Sequence, residues 1–224
     1  MGLYRNRIVI KAGTSTLVNG AGKIDLRNME RLARVVADIQ NKGYEVILVS
    51  SGAIAVGANK LGLESGLSSM KMKQAAAAVG QCSIIYLYDK FFGDYDKTIA
   101  QILLSAEDIE QEEKRDNLIN TFDTLLGMKI IPVVNENDSV SNTEIETEDA
   151  LFGDNDYLSA KVAVLCRAGR LILLSDSVSC ASRRGKDGAI TESNAVSLAA
   201  ENGIDAVIIN GKTPDALYEI VEGM

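Results

Sequence analysis

The first apolar run of the chain ends in a lysine: Arg7 to Lys11 reads RIVIK, and Ala12-Gly13-Thr14-Ser15 follow. A lysine closing a buried strand beside a glycine turn holds its ammonium at the sheet edge, where it suits a phosphate. In the plainer reading it snorkels, with its charge in water. Farther on, Ile130 to Lys161 reads IIPVVNENDSVSNTEIETEDALFGDNDYLSAK. Its apolar start, bracketing Pro132, reads as a buried strand that runs into Asn135-Glu136-Asn137-Asp138, four polar residues that do not belong in a core. After an acidic loop, Asp154-Asn155-Asp156 precede a helical pattern. Amides and carboxylates can hold a polar ligand, although Asn and Asp also favour turns and helix caps. Two such clusters flanking one loop favour a site.

Several chemistries are closed to this chain. It has no histidine, so serine–histidine catalysis and histidine metal sites are excluded. A formal charge of −8 with no basic run argues against a nucleic-acid surface. Neither G-x-x-x-x-G-K-[ST] nor G-x-G-x-x-G occurs. Three cysteines, Cys82, Cys166 and Cys180, form no C-x-x-C pair and favour a reducing compartment. No apolar run reaches the ~20 residues of a membrane span, and no signal-peptide pattern precedes Arg5, so a cytoplasmic location is expected.

The elements that would position these residues alternate. Strands are predicted at Arg7 to Lys11, Tyr44 to Val49, Thr98 to Leu104, Ile130 to Val134, Leu171 to Leu174 and Asp205 to Ile209. Asn19-Gly20 and Gly22 predict a hairpin or ordered loop over Thr16 to Ile24. Asp25 caps a helix whose apolar residues run from Leu26 to Ile39 at helical spacing, and Lys42-Gly43 stops it. Another helix starts after Ser50-Ser51-Gly52. A long helical pattern covers Ser68 to Phe92, with Gly80 as a possible break; others cover Ala106 to Leu126, capped by Ser105, and Asp156 to Arg167, and a last one starts at Thr213-Pro214. Such alternation gives a mostly parallel sheet with helices on both faces, a three-layer αβα sandwich, as a single domain over residues 1–224. In such sheets ligands bind beyond the carboxyl ends of the strands. Lys11, Gly13, Ser51, Gly52, the Asn135–Asp138 cluster and Ser175-Asp176 would all meet there.

On these residues the chain resembles the glutamate 5-kinase family of the amino-acid kinase superfamily. The resemblance rests on IVIKAGTSTL (8–17), VSSGAIAVG (49–57), KQAAAAVGQ (73–81), IIPVVNENDSV (130–140), GDNDYLSA (153–160) and LILLSD (171–176). It covers residues 7–176 well and resumes more weakly near Ala199. It implies the amino-acid kinase fold and ATP-dependent phosphorylation of the γ-carboxylate of L-glutamate, with Mg²⁺, in proline synthesis. It further implies that Lys11 is catalytic and, with Gly13, Ser175 and Asp176, meets ATP. Ser51, Asp138 and Asn155 would hold glutamate, and Asp154 or Asp156 would orient Lys11 or help hold Mg²⁺. Feedback by proline near the Ser141–Leu151 loop and a homo-oligomer formed through the Met70–Val79 helix are also implied; an ordinary buried helix fits that stretch as well. No counterpart is expected of the RNA-binding-like C-terminal domain of many relatives.

Two departures mark the chain. The family carries a glycine-bearing nucleotide loop with an Asp-Pro pair after LLSD, whereas SVSCASRRGKDGAITESN follows here, shorter by roughly a few tens of residues in comparison with the family. Glu192 stands where the family segment GTGGM-x-TK ends in lysine. Arg183, Arg184 or Lys186 could supply that charge, or the loop is merely solvated. The alternatives to an active glutamate 5-kinase are therefore an impaired or regulatory protein of the same fold and a kinase for another carboxylate.

Overall fold

In a computed structural model of the chain, which describes residues 2–63, 67, 69–140, 155–176 and 190–222 (the side chains of 106 and 190–193 excepted), a parallel sheet forms the middle layer. Its strands are β1 (Tyr4–Ala12), β2 (Glu45–Val49), β3 (Ile99–Leu104), β4 (Ile131–Glu136), β5 (Ala168–Ser175) and β6 (Asp205–Asn210). They lie in the order β3-β4-β2-β1-β5-β6, and every pairing is parallel. All six carboxyl ends therefore share one edge.

Alternation along the strands sorts side chains between two cores. Ile8, Ile10, Val46, Leu48, Ile131 and Val133 face a layer made by α2 (Leu26–Asn41), α4 (Met70–Gly93) and α9 (Ala216–Glu222). Val9, Ile47, Val49 and Val134 face α6 (Glu112–Gly127), α7 (Asn155–Leu165) and α8 (Ile190–Glu201). Buried on both sides, the central strands are apolar almost throughout, as the sequence shows.

Most predicted elements stand where their local signals put them. Asp25 accepts from the Asn28 amide at 3.1 Å and starts α2, and Gly43, at φ +95°, ends it. The Thr16–Ile24 stretch opens with a single turn, α1 (Thr14–Leu17), before Val18 and Ile24 form the expected antiparallel bridge. Gly80 does not interrupt α4, which is one unbroken helix of 24 residues capped by Ser69. Two expectations are corrected. The helix over 106–126 is two helices, α5 (Ala106–Glu110) and α6, parted at Gln111, whose backbone is extended. Acidic residues crowd 107–113, and restarting the helix puts Glu112 and Glu113 at a new amino terminus, where the helix dipole favours them. The polar cluster at 135–138 is not wholly outside the core: β4 continues through Asn135 and Glu136, 1% and 5% exposed, because β3 pairs with it as far as Leu104↔Glu136.

Candidate active site

Strand parity decides where Lys11 goes. Two residues after Val9, it shares the face covered by α7, and α7 begins above the end of β1. Its Nζ meets Asp156 Oδ1 at 2.5 Å, with the two side chains 11% and 7% exposed. Asp156 lies in the first turn of α7, where the dipole also favours a carboxylate. Of Asp154 and Asp156, expected to orient Lys11 or to help hold Mg²⁺, Asp156 is the one paired with Lys11; Asp154 lies outside the described residues. Lys11 folds back over Gly13, where an added Cβ would lie 3.1 Å from both Lys11 Nζ and the Leu174 carbonyl oxygen. Gly13 thus leaves the ammonium open to the sheet edge.

Ser51, 4% exposed, follows β2 directly, and Gly52, at φ +87°, turns the chain into α3 (Ala53–Lys60). The first amides of α3 have no partners within the helix, as at any helix start. Helix α3 packs against α4 at a separation only glycine permits. A Cβ on Gly57 would fall 1.7 Å from the Ala76 carbonyl oxygen, and one on Gly80 would fall 1.8 Å from that of Ala53. The Gly57 and Gly80 motifs are therefore one contact seen from its two sides. At about 36 Å, α4 is longer than the ~20 Å of a six-residue strand, so it overhangs the sheet.

Helix α4 is also pinned to two strand ends. Ser50 Oγ lies 3.4 Å from Tyr88 Oη, in the buried core. Burial pushes the Tyr88 hydroxyl well above its ordinary range, and the bond from Ser50 acts the other way. Asn135 Nδ2 donates to Gln81 Oε1 at 2.8 Å, whereas Asn135 Oδ1 is buried with no hydrogen-bond partner among the described residues. Asn155 Oδ1, at the start of α7, is a second such acceptor. Asp138 is half-buried in the turn closed by the Val140 amide and the Asn137 carbonyl. Asn135 Oδ1, Asn155 Oδ1 and the Asp138 carboxylate are thus acceptors at the end of β4, the start of α7 and the turn after β4, and acceptors suit an ammonium.

On the other side of Lys11 lies the end of β5. Ser175 is half-buried and Asp176 exposed. The Ser175 carbonyl accepts from the Gly211 amide after β6, and the Leu174 carbonyl from the Gly13 amide. Asn28 Nδ2 reaches both the Thr16 and Gly211 carbonyls, binding the turns after β1 and β6 together. Among the described residues, a cavity of about 860 Å³ opens at the opposite, amino edge, beside Arg5, Tyr44 and Arg170. Arg170 there satisfies Asp205 and the Ile220 carbonyl at the end of α9, so its charge answers a helix carboxyl terminus. That cavity lies at the other end of the strands from the Gly13 and Gly52 turns.

Every predicted site residue falls on the carboxyl edge: Lys11 in the last two residues of β1 and Gly13 just after it, Ser51 after β2, Asp138 after β4, Asn155 at the start of α7, Ser175 ending β5 and Asp176 just after it. Not foreseen were Asn135 as a buried acceptor, Gln81 as its partner and Tyr88 as the partner of Ser50. Counting Asn135 on the β4 alternation would have turned it toward the helix that carries Gln81. The acidic loop at 141–151, Arg183, Arg184, Lys186 and the side chain of Glu192 lie outside the described residues. No group of three His, Cys, Asp or Glu able to hold a metal occurs among the described residues.

Residues 6–179 match the model of the amino acid kinase family. The chain is 44% identical to glutamate 5-kinase of Clostridium perfringens, over 97% of the chain and 92% of that protein, and 42% identical to glutamate 5-kinase of Clostridium tetani, over 96% and 91%. The first alignment spans 248 positions, more than the 224 residues present here, so this relative carries residues that the chain lacks. Among solved structures, carbamate kinase of Giardia shares the fold with a TM-score of 0.63 at 16% identity, covering 97% of this chain and 96% of that one. UMP kinase of Ureaplasma parvum shares it with a TM-score of 0.59 at 16% identity, covering 98% and 96%.

Proposed function

The chain belongs to the amino acid kinase family, and we propose that it phosphorylates the γ-carboxylate of L-glutamate with ATP to give L-glutamyl 5-phosphate, the first step of proline biosynthesis. The observation that carries this reading is the Lys11–Asp156 pair set over Gly13 at the carboxyl edge, between an acceptor-rich side and the β5–β6 side. A glutamate carboxylate, with an ordinary pKa of about 4.3, is already the nucleophile at neutral pH, so no general base is required. What remains is to align two anions and to neutralise charge on the transferred phosphoryl group. Lys11 supplies a fixed cation for that charge, and the amides of the Gly13 and Gly52 turns supply donors.

Glutamate would lie beyond β2 and β4. Its ammonium carries three N–H donors, and Asn135 Oδ1, Asn155 Oδ1 and the Asp138 carboxylate are acceptors for them. Ser51 would donate to a substrate carboxylate. ATP would lie over the ends of β5 and β6, with Ser175 and Asp176 beside it. Mg²⁺ would be held largely by phosphates and water, as is usual where it binds with a nucleotide. A divalent ion bound with the nucleotide would supply charge neutralisation. We place the enzyme in the cytoplasm. It would act as a homo-oligomer, since Met72 and Tyr86 on α4 are 38% and 65% exposed along one helix. Proline would act at the glutamate pocket.

The test is glutamate-dependent hydroxamate formation with ATP, Mg²⁺ and hydroxylamine, which traps the acyl phosphate. Aspartate and N-acetylglutamate are the competing acceptors, and Lys11→Ala is the control. Glutamate-specific hydroxamate that vanishes in the control is the expected result. No hydroxamate from any acceptor, in a folded protein, would reject the kinase.

A further inference from the structure

Asn135, the penultimate residue of β4, is almost completely buried, with its amide shared unequally. Nδ2 donates to Gln81 Oε1 at 2.8 Å, while Oδ1 is buried and finds no donor among the described residues. A buried acceptor left without a partner is rare and asks for an explanation. The two ends of an asparagine amide have nearly the same shape, so packing alone does not choose which end faces the site; hydrogen-bond partners do. Gln81 is the partner here. It follows Gly80, whose contact with α3 holds α4 in place, so its backbone cannot drift from the end of β4.

We propose that Gln81 is a positioning residue: by holding Asn135 Nδ2 it turns Asn135 Oδ1 toward the ligand, and the site thereby selects a substrate that carries an ammonium group. The inference rests on the glutamate reading above. Without the Gln81 oxygen the Asn135 amide is free to turn over and present its NH₂ to the substrate ammonium, a donor facing a donor. The charge-assisted bond is then lost, an effect of about tenfold to a hundredfold in affinity for the ammonium-bearing ligand. Binding of a ligand that lacks the ammonium changes little.

The experiment is calorimetric titration of the whole protein, without turnover, using three ligands. These are glutamate, glutarate (no ammonium) and 4-aminobutyrate (no α-carboxylate). Gln81→Met keeps the volume and removes the acceptor. It is expected to lower the preference for glutamate over glutarate about tenfold or more, with glutarate affinity and thermal midpoint nearly unchanged. Asn135→Asp offers an oxygen whichever way it turns, so in that background Gln81→Met should change the preference less than about twofold. A Gln81→Met protein with the wild-type preference overturns the inference. So does one that loses its preference over 4-aminobutyrate instead, since the amide would then read the carboxylate. A wild type that binds no glutamate sinks the glutamate reading and this inference together; a wild type that prefers glutamate isolates the test to Gln81.

Discussion

Replacing Lys11 by methionine leaves the Asp156 carboxylate buried without its counter-ion, and replacing Asp156 by leucine does the same to the ammonium. The two side chains are 11% and 7% exposed with 2.5 Å between charged atoms. Breaking one partner of a buried pair costs about 3–5 kcal/mol. The pair sits at the edge of the sheet, where water relieves part of the stranded charge, so the lower end, about 3 kcal/mol, applies. For a domain of this size that lowers the thermal midpoint by about 6–12 °C. Substituting both residues removes both charges, and the double variant should return to within about 1 kcal/mol of the wild type. Activity should behave differently: with Lys11 in the role proposed for it, every variant lacking it, the double variant included, should lose at least about a hundredfold in turnover, because the phosphoryl group would lose its cation. Urea unfolding of the four proteins gives the coupling energy, and the hydroxamate assay gives turnover. Single variants that each lose less than about 1 kcal/mol, with additive effects in the double, would mean that the pair behaves as a solvated ion pair and would refute the argument.

Gly80→Ala forces a methyl against the Ala53 backbone oxygen, so α3 and α4 must separate; a loss of about 1–3 kcal/mol and a weakened glutamate affinity are expected, read by urea unfolding and titration. At α5, burial raises the Asp108 carboxyl, but the Ser105 hydroxyl and amide and Lys114 outweigh it and hold it below its ordinary value of 3.8. A carboxyl lowered in the folded state stabilises above its unfolded pKa and loses that contribution as pH falls through the folded one. Asp108→Asn should therefore cost about 1 kcal/mol at pH 7 and progressively less below the unfolded value, in unfolding curves taken from pH 7 down to acid. Cys82 is exposed, whereas burial pushes the Cys166 thiol up, with Arg7 acting the other way. In a Cys180→Ser background, Ellman's reagent should titrate one thiol in the native protein and two in denaturant; rapid reaction of both would contradict the burial of Cys166.

The sequence by itself was enough for the strands, most helix caps and the edge at which the site lies. Those features depend on neighbours a few residues apart: apolar alternation in RIVIK and YEVILV, Asp25 ahead of a helical stripe, a glycine after a strand. A strand that ends in lysine or in an asparagine cluster announces a polar edge for the same reason. Tertiary structure decided the rest, because the partners are remote in sequence. Strand order set which ends lie side by side, and parity along β1 sent Lys11 to Asp156 on a helix that starts 144 positions later. Asn135 and Glu136 were expected outside the core because a polar side chain is costly to bury alone. The fold brings Gln81 to Asn135 and extends β3 pairing past Leu103, and neither partner can be seen from residues 130–140. Gly57 and Gly80 are the same kind of case. Each reads locally as a weak helix position, and only the crossing of α3 and α4 shows that a side chain at either would stand inside the other helix's backbone.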